Sequence, residues 1–290
     1  MYDEIASNQR KTWMIIIFFV AFIAFLGYVL GLVWADPFVG MALAVIVSLV
    51  FTLISYYSGD KMLLKLSGAR PTDKKLHPHL VNTVEGLAIA AGMPTPQIFI
   101  IESDAINAFA TGREPSHSSV TVTTGALKKL NRTELEGVIG HEMSHIKNYD
   151  IRVMMVTVML VGIIALLSDV ILRSMWYGKG DSKEAGRAGI ILLVIGLILA
   201  ILAPFIAEIL KLAVSRRREY LADASGALLT RHPPGLASAL KKIRDDKTVL
   251  KQATTATAPL YISNPLKDKF HSLFSTHPDI NDRIRRLEQM

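Results

Sequence analysis

Two uncharged apolar stretches near the N-terminus constrain this chain more than any other feature. They cover residues 13–34 and 38–57, and each is about the 20 residues a helix needs to cross the hydrocarbon core of a bilayer. Trp13 and Trp34 bracket the first, while Tyr56 and Tyr57 close the second, as interfacial aromatic belts do. Only Ala35-Asp36-Pro37 separates them, so the pair reads as a transmembrane hairpin. A pair of buried core helices would be shorter or broken by charge.

Two later runs, residues 151–172 and 189–214, suggest a second hairpin. They are less clean: Arg152 and Asp169 lie in the first, Pro204, Glu208 and Lys211 in the second. Their length permits crossing without requiring it, and a half-embedded hairpin is the alternative. Glu208 either faces a polar site shared with Leu212, Ser215 and Glu219 or snorkels to the interface. Arg10 and Lys11 precede the first run, and Lys61, Lys65, Arg70, Lys74 and Lys75 follow the second. This asymmetry places both outer ends in the cytoplasm. Arg216, Arg217 and Arg218 agree; the basic residues of 173–187 conflict with a fully crossing second hairpin. The net charge of +7 sits beside apolar runs, so the expected partner is an anionic lipid bilayer and not nucleic acid. No cleavable signal is evident.

The expected division is a cytoplasmic N-terminus at 1–12, hairpin one at 13–57, a first part of a soluble domain at 58–150, the second hairpin at 151–214, and the rest of that domain at 215–290. Residues 77–92 read as an amphipathic helix stopped by Gly92-Met93-Pro94. The β-branched segments 97–101, 106–110 and 119–123 suggest a small antiparallel sheet. Thr133 with Glu136 fits a capping box at the start of the next helix.

That helix carries His141-Glu142-Met143-Ser144-His145. Histidines four apart share one helical face, where both imidazoles can reach one zinc ion, with Glu142 beside it as a general base. The pattern implies water activated by a metal and directed at a peptide carbonyl. With no cysteine in the chain, disulfides and thiolate ligands are excluded, and a third ligand must be His, Asp or Glu. Glu219 supplies it. Asp223, one turn on, can accept the spare N–H of a ligand histidine and so fix its tautomer. Since Glu219 and His141 must share one side of the membrane, the chain between them crosses an even number of times. His77, His79, His117, His232 and His271 lack partners at ligand spacing and read as surface residues.

The ordered set of hairpin, HExxH, second hydrophobic hairpin, ExxxD and a C-terminal His-Pro segment resembles the HtpX family of bacterial membrane zinc proteases, relatives of the CaaX prenyl endopeptidases. The resemblance covers nearly the whole chain. It implies an α-helical integral membrane protein with a zincin-like α+β protease domain, to which the apolar runs contribute four candidate transmembrane helices in two hairpins. It also implies one zinc held by His141, His145 and Glu219, with Glu142 as base. The setting implied is the bacterial inner membrane, multi-pass, with the active site on the cytoplasmic side. There the substrates are misfolded or damaged membrane proteins, and other quality-control proteases are potential partners. Residues 107–112 resemble the strand beside the family's active site; Asn107 there either touches substrate or the oxyanion, or is an ordinary strand-end residue. Thr276-His277-Pro278 with Arg283 resembles the C-terminal motif. His277 either donates to the oxyanion or lies at the surface, and Arg283 reads as a structural ion-pair partner.

Three other readings compete. A CaaX-type prenyl-protein protease would have more membrane helices. A membrane scaffold with structural zinc would have no need of Glu142. A transporter would need a polar stripe that these runs lack.

Overall fold

The computed structural model describes residues 2–34, 36–177, 216–254, 257–265 and 278–290. Helices α1 (Tyr2–Trp34) and α2 (Pro37–Leu66) contain the two apolar stretches and extend beyond them. Asp36 starts α2: its Oδ1 accepts the N–H groups of Phe38 and Val39 at 2.8 and 3.1 Å. Pro37 takes the first position, where no N–H is needed. Glycine lets the hairpin close tightly. A Cβ on Gly40 would stand 2.9 Å from the Gly31 Cα, the small-residue packing typical of membrane helix pairs.

The exposure of α2 is inverted relative to a helix in water. Leu43, Ile46, Val47, Val50 and Leu53 are exposed, while Ser48, Thr52 and Ser55 are buried. Burial in water favours the reverse arrangement, so lipid is the solvent that suits this surface. Both helices are long and apolar enough to cross a membrane.

Four strands form the sheet: β1 (Arg70–Pro71), β2 (Gln97–Ile101), β3 (Ala108–Glu114) and β4 (His117–Thr123), in the order β1-β2-β4-β3. β3 and β4 make an antiparallel hairpin, but β2 runs parallel to β4, with Gln97 opposite Ser119 and Ile101 opposite Thr123. The sheet is therefore mixed, not antiparallel as expected. The chain leaving β2 lays β3 beyond the place that β4 later fills. Side-chain alternation has the same period in either strand direction, so the sequence pattern could not distinguish the two.

Helix α3 (Pro78–Ala91) ends where expected, with Gly92 in the left-handed region at φ 66°. Helix α4 (Thr124–Lys129) leads to α5 (Arg132–Lys147), which carries the HExxH motif. Its capping box lies two residues earlier than the sequence suggested. Asn131 Oδ1 accepts the Glu134 N–H at 2.9 Å, and Glu134 Oε2 accepts the Asn131 N–H at 2.7 Å. Glu134 outcompetes Glu136 because it is buried, where Lys242 and Ser238 also donate to it.

Asn148 and Tyr149 join α5 to α6 (Asp150–Tyr177) across an 80° bend, with Tyr149 in the left-handed region at φ 61°. The described part continues with α7 (Arg216–Thr230), α8 (Pro233–Asp245), a 3-10 turn at Ala258–Leu260 and α9 (Ile280–Glu288).

Two cores result. One packs the sheet against α3, α5 and α8 through residues such as Val84, Ile100, Val122, Ile139 and Leu240. The other joins α1, α2 and α6 to the sheet through Phe19, Leu63, Met155, Phe109 and Tyr261, the last two rings meeting edge-on at 5.1 Å. The third apolar run forms α6, but its first turns are buried in protein, at Val153, Met155, Val156 and Leu160. The fourth run, including Glu208, lies outside the described residues. Among the described residues, two helices meet the length and apolarity of a span by themselves, or three if bent α5–α6 counts as one.

Candidate metal centre

Helix α7 crosses α5 at His141. A Cβ on Gly226 would stand 2.8 Å from the His141 backbone N, so only glycine allows this approach, which brings Glu219 and Asp223 over the HExxH face. His141 Nε2 and His145 Nε2 lie 3.2 Å apart. Glu219 completes the triangle, with Oε1 3.6 Å from His145 Nε2 and Oε2 3.8 Å from His141 Nε2. Zinc bonds of its usual length in a tetrahedral arrangement separate neighbouring ligand atoms by about 3.3 Å. These three donors therefore fit the metal. Among the described residues, this is the one group of three or more His, Asp or Glu spaced to hold an ion. Three protein donors leave a position open, as catalytic zinc sites require.

Carboxylates hold the far side of both rings. Asp223 Oδ1 is 2.9 Å from His141 Nδ1, and Asp150 Oδ2 is 3.0 Å from His145 Nδ1. Each ring can thus give its Nδ1 proton outward and aim the Nε2 lone pair at the ion. Burial works against a charge on His145, yet the Asp150 hydrogen bond and the Glu219 carboxylate outweigh it and raise the imidazole to about 9. Such a pocket, rich in carboxylate, favours a cation. Burial, joined by the Arg283 and His145 charges, lowers the His141 imidazole below its ordinary value, although the Asp223 carboxylate works to raise it. Glu142, 2% exposed, is pushed up to about 7 by burial; His145 and the backbone N–H of Ala110 pull it back while Glu219 adds to the rise.

Arg283, 2% exposed on α9, grips Asp223 with two bonds, Nε to Oδ2 at 2.9 Å and Nη2 to Oδ1 at 2.7 Å. Its Nη1 donates to the Ile262 carbonyl at 3.0 Å and stands 3.6 Å from Glu219 Oε2. Although burial opposes ionisation, the Arg283 charge holds the Asp223 carboxyl at about 2.

The structure thus brings His141, Glu142, His145, Glu219 and Asp223 together. Asn107 lies on the adjacent strand end, but its Nδ2 donates to the Ser263 carbonyl at 3.2 Å and its Oδ1 accepts the Ala108 N–H at 3.1 Å. His277 lies outside the described residues. Sequence reasoning missed Asp150; its only signal was an acidic residue just past the end of the HExxH helix.

The sequence profile of peptidase family M48 matches residues 74–290. The chain belongs to peptidase family M48. It is accordingly a metallopeptidase, and the M48 profile takes in every residue of the cluster. Over its full length the chain is 47% identical to a protein named "Protease HtpX homolog" from Dictyoglomus turgidum, covering 94% of that relative. It is 40% identical to a protein of the same name from Streptococcus gordonii, covering all of both. The crystal structure of Ste24p from S. mikatae shares the fold with a TM-score of 0.51 at 20% identity, over 99% of this chain and 67% of that one.

Alanine at Gly226 tests the crossing on which this M48 site depends. The added methyl must move α7 or α5, and overpacking of this kind costs about 1–3 kcal/mol. Gly226→Ala is expected to melt at lower temperature and to bind less than one zinc per chain after purification. An unchanged melt with full metal content would show that the helices have slack.

Proposed function

We propose that the chain is an integral-membrane zinc endopeptidase that cleaves unfolded or damaged membrane proteins at the cytoplasmic face of the bacterial inner membrane. The triangle of His141, His145 and Glu219, backed on each histidine by a carboxylate, carries this reading. Bound zinc would polarise the scissile carbonyl and lower the pKa of a water toward 7. Glu142, poised near neutrality by burial, takes the proton from that water on its carboxylate and passes it to the leaving amine. Asp223 and Asp150 hold the two rings in the tautomer that faces the metal.

The end position of β3 in the sheet supports a binding mode for extended, unfolded segments. Such a segment can add to the strand through main-chain hydrogen bonds, independent of its side chains. The Ile262 N–H already takes the Ala108 carbonyl at 3.0 Å and Glu142 takes the Ala110 N–H, so pairing would begin beyond Ala110. Asn107 would meet substrate or oxyanion only after giving up Ser263.

Only five residues separate His145 from Ile151, and α6 packs directly on the two apolar helices. The catalytic centre is therefore close to the bilayer surface, where unfolded membrane-protein segments emerge. The basic residues outside hairpin one favour the cytoplasmic side.

Detergent-purified protein incubated with an unfolded protein such as casein should cleave it with zinc present. Activity should fall to background with chelator and return on adding zinc back. A folded wild type holding one zinc that cleaves neither casein nor any denatured membrane protein would overturn the proposal.

A further inference from the structure

The buried face of α1 begins before its apolar stretch. Asn8 and Thr12 precede Ile16, Phe19, Ile23 and Leu26 on one helical stripe, all buried. At 33 residues, α1 is about 50 Å long, well beyond the roughly 30 Å of a hydrocarbon core. Its first turns therefore stand outside the bilayer, against the protease domain.

Asn8 is 1% exposed, and its side chain bonds only to distant parts of the chain. Nδ2 donates to the Asn148 carbonyl at 2.8 Å and to Asp150 Oδ1 at 2.7 Å. Oδ1 accepts from Arg218 Nη1 at 3.2 Å, and the same Nη1 reaches Asp150 Oδ1 at 3.2 Å. Asn148, Asp150 and Arg218 are buried as well. One amide thus joins the outer end of α1, the bend between α5 and α6, and the start of α7. Burying it is costly unless its donors and acceptor are matched, and here both donors and the acceptor are used.

The other oxygen of Asp150 is the one on His145 Nδ1. Oδ1 is held by Asn8 and Arg218, while Oδ2 orients the ring. Without Asn8, Oδ1 keeps only the guanidinium and the carboxylate can swing toward it, away from the imidazole.

We propose that Asn8 is a positioning residue for the metal centre. It fixes the Asp150 carboxylate that aims His145, so zinc affinity depends on the seating of the first membrane helix against the protease domain. This rests on reading His141, His145 and Glu219 as a zinc site. A chain whose α1 is not yet docked would hold zinc weakly, which couples assembly in the membrane to completion of the catalytic centre.

The test measures zinc affinity of the full-length protein in detergent by competition with a chromogenic chelator. The variants are Asn8→Ala, Asn8→Asp, Asp150→Asn, His145→Ala and the double variant Asn8→Ala with Asp150→Asn. Residues that orient ligands contribute about 10- to 100-fold in metal affinity, the range expected for Asp150→Asn. Asn8 acts one bond further out, so Asn8→Ala should weaken zinc about 3- to 10-fold, near the lower bound of that range. The double variant should match Asp150→Asn within about 2-fold, because the effect of Asn8 passes through Asp150.

Asn8→Asp keeps an oxygen for Arg218 and nearly the same volume, but turns a like charge toward Asp150. It should lose at least as much affinity as Asn8→Ala, and it serves should the alanine variant fail to fold. Wild-type affinity in the folded Asn8 variants would overturn the proposal. So would a loss from Asn8→Ala that persists undiminished in the Asp150→Asn background, since that is the mark of a merely structural role. A wild type that takes up no zinc, or a His145→Ala variant that binds it equally well, would instead remove the metal-site reading itself.

Discussion

Glu142→Gln is expected to bind one zinc as tightly as the wild type and to hydrolyse an unfolded substrate about 10²- to 10⁴-fold more slowly, the range spanned by loss of a positioned general base. Glutamine is nearly isosteric with glutamate, so the fold of α5 is kept, and Glu142 is not one of the three clustered donors. What disappears is a carboxylate able to carry a proton from water to the leaving amine. The site makes this substitution mild for stability. Glu142 is buried next to Glu219, and both burial and that charge push its carboxyl up, to about 7. A neutral amide removes a charge that the pocket tolerates poorly when metal is absent. Zinc content by atomic absorption and turnover of casein, measured on the same preparation, separate the two effects. Wild-type turnover with Gln at this position would show that another group moves the proton. Loss of both zinc and turnover would show that Glu142 supports the ligands.

What the sequence made legible depended on how locally each feature is encoded. His141 and His145 on one face of α5, and Glu219 with Asp223 on one face of α7, follow from helical periodicity alone, and the structure brings the two faces together. The first hairpin was legible because crossing a bilayer requires a long uncharged run whatever the rest of the fold does. Asp150 was not. Its approach to His145 is created by the 80° bend at Tyr149, and nothing in the residue pattern announces a left-handed tyrosine. Asn8 was hidden for a different reason: it lies 142 positions from Asp150 in what reads as a polar lead-in to a span. The parallel pairing of β2 with β4 escaped because alternation does not encode direction. Gly226 drew no notice because a helical glycine acquires meaning only when the partner it lets in is known.

Arg283→Met is expected to lower stability by about 3–5 kcal/mol, the cost of removing one partner from a buried ion pair, and to weaken zinc binding with it. Methionine preserves much of the volume, so the loss is electrostatic. Arg283 makes two hydrogen bonds to Asp223, ties α9 to the Ile262 carbonyl, and stands beside Glu219. Without it, Asp223 keeps only His141 as a partner, and burial, the largest influence on this carboxyl and now opposed by His141 alone, is expected to raise it above the ordinary range. The pH dependence of the loss follows from that change. In the wild type the Asp223 carboxyl sits at about 2, below its unfolded value of about 3.9. Its contribution to stability is therefore complete above pH 4 and fades as the pH falls toward 2. In the variant the folded value lies above the unfolded one, so the same group destabilises increasingly as pH rises past 4. The gap between the two proteins should thus be narrow near pH 3 and widen toward pH 6. Paired thermal melts of both proteins at these pH values, with chelator present to remove metal linkage, measure it directly. A gap that stays constant across that range would mean that Arg283 stabilises by packing and its backbone bond, and that the charge on Asp223 is held by something else.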